Sequence, residues 1–124
     1  MTKKTISIFG STGSVGTTTL NILRENKDIF DVKVLTGYKN INDLISLANE
    51  FNPEAICFAN ESDLELVKNK INYDEVEYYI GDVGLLECAK VSADIVIAGI
   101  VGLAGLPPLL ESIKSSKKVC IANK

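Results

Sequence analysis

The sequence predicts an α/β domain, in which a doubly wound parallel sheet of about six strands is covered by helices on both faces. Short apolar runs rich in β-branched residues alternate with segments of helical periodicity along the whole chain. This alternation requires right-handed crossovers, which favour a parallel sheet. The first apolar run ends in glycines at three-residue intervals (Gly10, Gly13 and Gly16), where the strand pattern turns into a helix pattern.

The bulk composition is that of one globular domain. The chain has 124 residues, of which 46% are apolar and 23% charged, with a net charge of −3. This acidic balance argues against nucleic acid as a partner, and no apolar run is long enough to predict a membrane span. A signal peptide is not expected, because Lys3 and Lys4 lead straight into the first strand.

The cysteines and the absent histidine narrow the possible chemistry. Cys57, Cys88 and Cys120 are isolated and have apolar neighbours, which predicts reduced, buried thiols and a cytoplasmic protein. The chain contains no histidine, so a Ser-His pair or a histidine-bound metal is excluded within it.

The elements of the first half follow from periodicity and caps. The first two strands are predicted at 5–9 and 29–35, with a helix over 14–26 between them. Asn40 suits the start of a second helix, which has apolar residues at i, i+3, i+4 and i+7, and Pro53 ends it. A third strand follows at 55–59, and Asn60 is expected to cap the helix after it.

In the second half, a strand at 76–80 alternates in polarity and is therefore expected near a sheet edge. Residues 81 and 82 open a helix, and 95–98 form another buried strand. A glycine-rich segment at 99–105 leads into a helix that begins at Pro107 or Pro108. The last strand is predicted at 118–122.

The glycine turn is a candidate phosphate site. A strand, a glycine turn and a helix N-terminus present unpaired N–H groups and the positive end of the helix dipole to an anion. The spacing G-x-x-G-x-x-G is a variant of the dinucleotide fingerprint of Rossmann-like domains. Ser11, Thr12 and Ser14 are expected to hydrogen-bond phosphate, and Thr17 excludes a Walker loop, which needs lysine there. The alternative is a purely structural turn.

The end of the second strand favours NADP over NAD. NAD enzymes place a carboxylate there to hold the ribose hydroxyls, but residues 36–40 contain none. Lys39 would attract a 2′-phosphate, and Thr36 and Asn40 could donate hydrogen bonds to it. The alternatives are a solvated charge at Lys39 and a plain helix cap at Asn40.

Four motifs together resemble the 1-deoxy-D-xylulose 5-phosphate reductoisomerase family: GSTGSVG, YKN, AGIVGLAGL and the terminal ANK. Tyr38 departs from the small residue that many relatives carry. The resemblance implies that Lys124 reaches the sugar phosphate substrate. It also implies NADPH contacts at Thr12, Gly13, Ser14, Val15, Tyr38, Lys39, Asn40 and Asn123.

The resemblance further implies a reaction. Family members rearrange the carbon skeleton of 1-deoxy-D-xylulose 5-phosphate and reduce it with NADPH to 2-C-methyl-D-erythritol 4-phosphate, an isoprenoid precursor of the non-mevalonate pathway. A divalent metal, magnesium or manganese, polarises the ketose oxygens, and its carboxylate ligands lie downstream of ANK. Residues 1–124 are therefore expected to be the cofactor domain of a homodimeric enzyme, without catalytic residues or metal ligands and inactive alone.

Two other functions remain open. One is the cofactor domain of another NADP-dependent dehydrogenase, although Cys57 and Cys120 lie inside predicted strands, where a catalytic nucleophile is not expected. The other is a free-standing dinucleotide-sensing module.

Overall fold

The fold is a six-stranded sheet in which every neighbouring pair is parallel. The computed structural model describes residues 3–11, 13–38, 40–99 and 118–121. The strands are β1 (Lys4–Phe9), β2 (Phe30–Thr36), β3 (Ala55–Phe58), β4 (Glu77–Ile80), β5 (Ile95–Ala98) and β6 (Lys118–Ile121). The helices of the described ranges are α1 (Ser14–Arg24), α2 (Ile41–Phe51), α3 (Leu64–Lys70) and α4 (Gly81–Ala89). The predicted α/β class with a parallel sheet is confirmed.

The strand order β4-β3-β2-β1-β5-β6 creates a switch point. The chain steps outward from β1 to β4 and then returns to place β5 on the other side of β1, where Phe9 pairs with Ala98. In open α/β sheets, ligands bind beyond the carboxyl ends of the strands at such a reversal. We call the end of the sheet at which the strands have their carboxyl ends the carboxyl edge.

β4 is an outer strand of the sheet, which confirms the predicted position of the fourth strand near a sheet edge.

Two apolar cores lie on opposite faces of the sheet. Ile56 and Phe58 of β3 belong to the larger core, which also contains Leu20 of α1, Leu44 of α2 and Val67 of α3. The alternate β3 residues Ala55 and Cys57 pack instead with Leu85, Cys88 and Ala89 of α4. Because successive strand side chains point to opposite faces, helices cover both sides of β3, as the doubly wound prediction requires.

The structure confirms one of the two predicted helix caps and contradicts the other. The side chain of Asn40 accepts a hydrogen bond from Asp43 N at 3.2 Å, so the predicted cap of α2 is confirmed. Asn52 ends α2 in the left-handed region, at φ 51°. The predicted cap at Asn60 is wrong: its side chain makes no capping bond, and a 3-10 turn (Glu61–Asp63) precedes α3.

The first helix is shorter than predicted, since it ends at Arg24 rather than at residue 26. The predicted glycine-rich segment beyond residue 99 and the helix at Pro107 or Pro108 lie outside the described residues. None of the helices in the described ranges is long and apolar enough to cross a membrane.

Candidate dinucleotide-binding site

The turn after β1 brings the chain sharply into α1. Gly10 has a φ of +83°, a conformation that favours glycine because a side chain there would be strained. The N–H of Gly13 donates to the carbonyl of Gly10 at 3.1 Å, and Gly13 then caps α1 in an extended conformation. The turn therefore closes on itself before the helix begins.

The other two glycines of the motif have different roles. A Cβ on Gly16 would overlap the carbonyl oxygen of Gly10 and lie 2.6 Å from Ser11 Cα, so Gly16 allows the helix to pack against the turn. A Cβ on Gly13 would meet only the Gly10 oxygen, at 3.4 Å, and Gly13 is exposed. Gly13 thus leaves open space above the turn, which a ligand can use.

The N-terminus of α1 is suited to an anion. The cap residue Gly13 has no side chain that could accept hydrogen bonds from the first N–H groups of the helix. No acidic residue lies in the first turn either. The first four N–H groups of a helix have no partner within the helix, and the helix dipole adds partial positive charge there. A diphosphate satisfies both features.

The turn is held by the last residue of β2. The N–H of Gly10 donates to Thr36 Oγ1 at 2.8 Å, and Ser11 donates to the Thr36 carbonyl through both its N–H and its hydroxyl, each at 2.7 Å. Ser11 and Thr36 are buried, with 0% and 2% of their surfaces exposed. The predictions that Ser11 binds phosphate and Thr36 binds a 2′-phosphate are therefore wrong. Both side chains are turned inward to stabilise the turn.

The switch point brings β5 against the same turn. The N–H of Gly99 donates to the carbonyl of Phe9 at 2.9 Å. A Cβ on Gly99 would lie 3.2 Å from that oxygen and 3.7 Å from Cβ of Val15. Val15, in the first turn of α1, thus lies close to the end of β5, at the reversal of strand order.

The loop between β2 and α2 forms the other end of the site. Tyr38 is 41% exposed, and its hydroxyl donates to the carbonyl of Gly81 at 2.8 Å. Burial of the hydroxyl raises the pKa of Tyr38, so the phenol stays neutral at physiological pH. Asn40 is exposed, and its side-chain oxygen is used in capping α2.

Below Tyr38, two thiols are buried in the smaller core. Cys57 at the end of β3 and Cys88 in α4 are both free and 0% exposed. The neighbouring Cys57 thiol, together with burial, raises the pKa of Cys88. The predicted buried, reduced state is thus confirmed for these two cysteines, while the side chain of Cys120 lies outside the described part of the structure.

The predicted contacts that the structure describes all lie at the carboxyl edge. Gly13, Val15 and the backbone of Ser14 form the start of α1, and Tyr38 and Asn40 lie in the loop after β2. The side chain of Ser14 and residues Thr12, Lys39, Asn123 and Lys124 lie outside the described residues. Sequence reasoning missed the contact of Tyr38 with Gly81, because the two are 43 residues apart and no local pattern links them.

Comparison with known proteins identifies the family. A sequence model of 1-deoxy-D-xylulose 5-phosphate reductoisomerase matches residues 6–124. The chain belongs to this family. The reductoisomerase of Lachnospira eligens is 40% identical over 122 residues, covering 98% of this chain and 32% of that protein. The reductoisomerase of Lachnoclostridium phytofermentans is 42% identical over 123 residues, covering 98% and 31%.

Solved structures of the reductoisomerase family share the fold. The Zymomonas mobilis enzyme in complex with NADPH superposes with a TM-score of 0.91 at 34% identity, covering 98% of this chain and 32% of that one. A reductoisomerase in complex with NADPH, fosmidomycin and magnesium gives a TM-score of 0.86 at 33% identity, covering 97% and 30%. The chain thus spans about a third of the length of the relatives it matches. The resemblance drawn from the four motifs is confirmed.

Proposed function

We propose that this chain is the NADPH-binding domain of an enzyme that converts 1-deoxy-D-xylulose 5-phosphate to 2-C-methyl-D-erythritol 4-phosphate. The observation that carries the proposal is the open helix N-terminus at Gly13, at the switch point of the sheet. The space above Gly13, which a Cβ would enter, fits a diphosphate that approaches the backbone closely. A family member with the same fold is described in complex with NADPH.

The proposed contacts divide the cofactor into two parts. The diphosphate lies over the start of α1, against Thr12, Gly13, Ser14 and Val15. The adenosine half lies along the loop after β2, against Tyr38, Lys39 and Asn40. Asn123 is proposed to contact the cofactor and Lys124 the phosphate of the sugar substrate, as the family motif ANK implies.

The choice of NADPH over NADH rests on charge. The last residue of β2 is Thr36, which is turned inward to the glycine turn and leaves the ribose hydroxyls without a carboxylate partner. An acid there would repel a 2′-phosphate, whereas Lys39 attracts it. The amide nitrogen of Asn40 is a second donor, since helix capping uses only the oxygen.

A divalent metal, magnesium or manganese, is proposed for the whole enzyme, where it would polarise the substrate oxygens. Family structures are described in complex with magnesium. The described residues do not fit a metal site, because they contain no group of three His, Cys, Asp or Glu side chains that could hold one. As the family resemblance implies, we propose that the metal ligands and catalytic groups belong to sequence outside these 124 residues, and that this chain binds cofactor and positions it.

The setting of the enzyme is also proposed. Free, buried thiols at Cys57 and Cys88 are typical of a reducing compartment, which supports a cytoplasmic protein. The family resemblance supports a homodimer that acts on a small sugar phosphate. The acidic net charge of −3 speaks against a nucleic acid partner.

Calorimetric titration of this chain with NADPH and NADH tests the proposal. We expect tighter binding of NADPH. Lys39→Ala should weaken NADPH by about 1–3 kcal/mol, the scale of one charge-assisted hydrogen bond, and leave NADH nearly unchanged. Lys68→Ala is the matched control, because Lys68 is exposed in the last turn of α3. Equal affinities of the native chain for the two cofactors, or tighter NADH, would contradict the proposed specificity.

A further inference from the structure

We propose that the ring of Tyr38 is the platform on which the adenine base of the cofactor stacks. This inference rests on the proposed NADPH-binding function and extends it to the recognition of the base. The phosphate groups and the base are then recognised by different parts of the carboxyl edge: the start of α1 for the diphosphate, and Tyr38 for the purine.

The first argument is that Tyr38 is held at both ends. Its backbone follows β2 by two residues, and its hydroxyl donates to the carbonyl of Gly81 at 2.8 Å, where α4 begins directly after β4. Since β3 lies between β2 and β4, the side chain spans the carboxyl end of β3. Cys57 of β3 also approaches the Gly81 carbonyl, with its sulfur 3.9 Å away. A ring immobilised in advance loses little conformational entropy when a ligand stacks on it.

The second argument is that this corner exposes apolar surface. Tyr38 is 41% exposed, and Val83, two residues after Gly81, is 75% exposed. Among the described residues, the other exposed large apolar side chains are Ile22 and Ile29, on α1 and in the loop after it. Of these four side chains, Tyr38 is the aromatic one, and it lies at the carboxyl edge. An aromatic face binds a nucleobase by stacking.

The third argument is charge. The neighbour of Val83 is Asp82, an exposed acid in the first turn of α4. Its negative charge disfavours the diphosphate at this corner but not a neutral purine. The phenol of Tyr38 is also neutral at physiological pH. The corner formed by Tyr38, Gly81, Asp82 and Val83 therefore suits the base, whereas the start of α1 suits the diphosphate.

The test measures the affinities of this chain for NADPH, NADH and adenosine 2′,5′-bisphosphate by calorimetry. Tyr38→Ala should weaken all three by a similar factor, about tenfold or more, as expected for the loss of one base–aromatic stack. The ratio of NADPH to NADH affinity should stay unchanged, which separates this residue from a phosphate-binding lysine. Tyr38→Phe keeps the ring, so its affinity for each ligand should stay within about threefold of the native affinity. Such a change is smaller than the tenfold change in affinity that corresponds to about 1.4 kcal/mol.

Ile22→Ala is the matched control, because it removes a similarly exposed apolar side chain from α1 and should change no affinity. Native affinity in Tyr38→Ala would overturn the stacking proposal and leave the NADPH proposal standing. Equal losses in Tyr38→Phe and Tyr38→Ala would show that the Gly81 hydrogen bond, rather than the ring, is what matters, and would also overturn it. A native chain that binds none of the three ligands would overturn both proposals.

Discussion

The hydroxyl of Thr36 accepts a hydrogen bond from the N–H of Gly10 at 2.8 Å, so the end of β2 holds the turn that follows β1. Two further bonds from Ser11 to the Thr36 carbonyl reinforce this link. Because the turn positions the start of α1, Thr36 supports the candidate phosphate site without facing it.

Replacing Thr36 by valine keeps the side-chain shape and removes the acceptor for the Gly10 N–H. An unpaired, part-buried N–H should lower the free energy of unfolding by about 1–3 kcal/mol. NADPH affinity should fall as well, because the turn is less rigid. Urea denaturation and calorimetry measure the two effects, and Ser46→Ala on the exposed face of α2 is the control. Unchanged stability would mean that the bond from Gly10 contributes nothing.

The two glycines Gly13 and Gly16 should separate binding from folding. Gly13→Val places a branched side chain above the turn in an extended conformation that any residue adopts, so the variant should fold normally and lose NADPH binding. Gly16→Ala forces a Cβ against the Gly10 carbonyl and should destabilise the fold by about 1–3 kcal/mol, the usual scale of overpacking. Circular dichroism, thermal melting and NADPH titration distinguish the outcomes. Normal NADPH binding by Gly13→Val would show that the turn does not hold the diphosphate.

Asp94 should matter for stability alone. Its carboxylate accepts from the N–H of Thr5 at 3.0 Å and from the Thr5 hydroxyl at 3.3 Å, and its own N–H donates to that hydroxyl oxygen at 3.0 Å. These bonds join the amino ends of β1 and β5, far from the carboxyl edge. Asp94→Ala should lower the free energy of unfolding by about 1–3 kcal/mol, as for other hydrogen bonds to a charged group. Asp94→Asn should lower the free energy of unfolding by less, and both variants should keep the native affinity for NADPH. A variant with native stability and a lower affinity for NADPH would contradict this assignment.

The tyrosines should ionise at a higher pH in the folded chain than in the unfolded chain. The hydrogen bond to Glu77, together with burial, raises the pKa of Tyr79 to about 12, and burial raises the pKa values of Tyr38, Tyr73 and Tyr78. When the pKa of a tyrosine is higher in the folded state than in the unfolded state, its neutral phenol stabilises the fold. This stabilisation is complete below the unfolded pKa of about 10 and is lost as the pH rises toward the folded pKa.

Phenolate absorbance measures this titration directly, since the chain has four tyrosines and no tryptophan. The native chain should ionise at higher pH than the urea-unfolded chain, and stability should fall above about pH 10. Glu77→Gln should bring Tyr79 closer to its usual pKa. Coincident native and unfolded titrations would show that these environments do not form.

This chain should bind cofactor without turning it over. Holding a divalent ion takes several oxygen ligands that converge on one point, and we propose that those ligands lie outside residues 1–124. NADPH oxidation, measured with 1-deoxy-D-xylulose 5-phosphate and magnesium or manganese, should stay at background. The control is protein checked for contaminating full-length enzyme. Steady turnover would place the catalytic groups within this chain.

Local patterns in the sequence were sufficient for the architecture. Period-two and helical apolar spacing predicted the strands and helices of the described ranges, because burial of one face is encoded every second or every third to fourth residue. Asn40 and Asn52 mark the ends of α2 through their own backbone and side-chain chemistry. The glycine motif predicted the turn between β1 and α1, which forms the candidate phosphate site. Such local signals do not always suffice. Asn60 has the chemistry of a helix cap, but its side chain makes no capping hydrogen bond, because a 3-10 turn lies between it and α3.

The sequence by itself thus determined the alternating parallel fold, the glycine turn and the family to which the chain belongs. Only the tertiary structure decided that Gly16 allows packing while Gly13 leaves space, that Thr36 turns inward, and that Tyr38 reaches Gly81. Each of these depends on how close the backbones of β1, α1, β2 and α4 lie. Such distances result from packing between residues that are far apart in the chain, and no local periodicity encodes them.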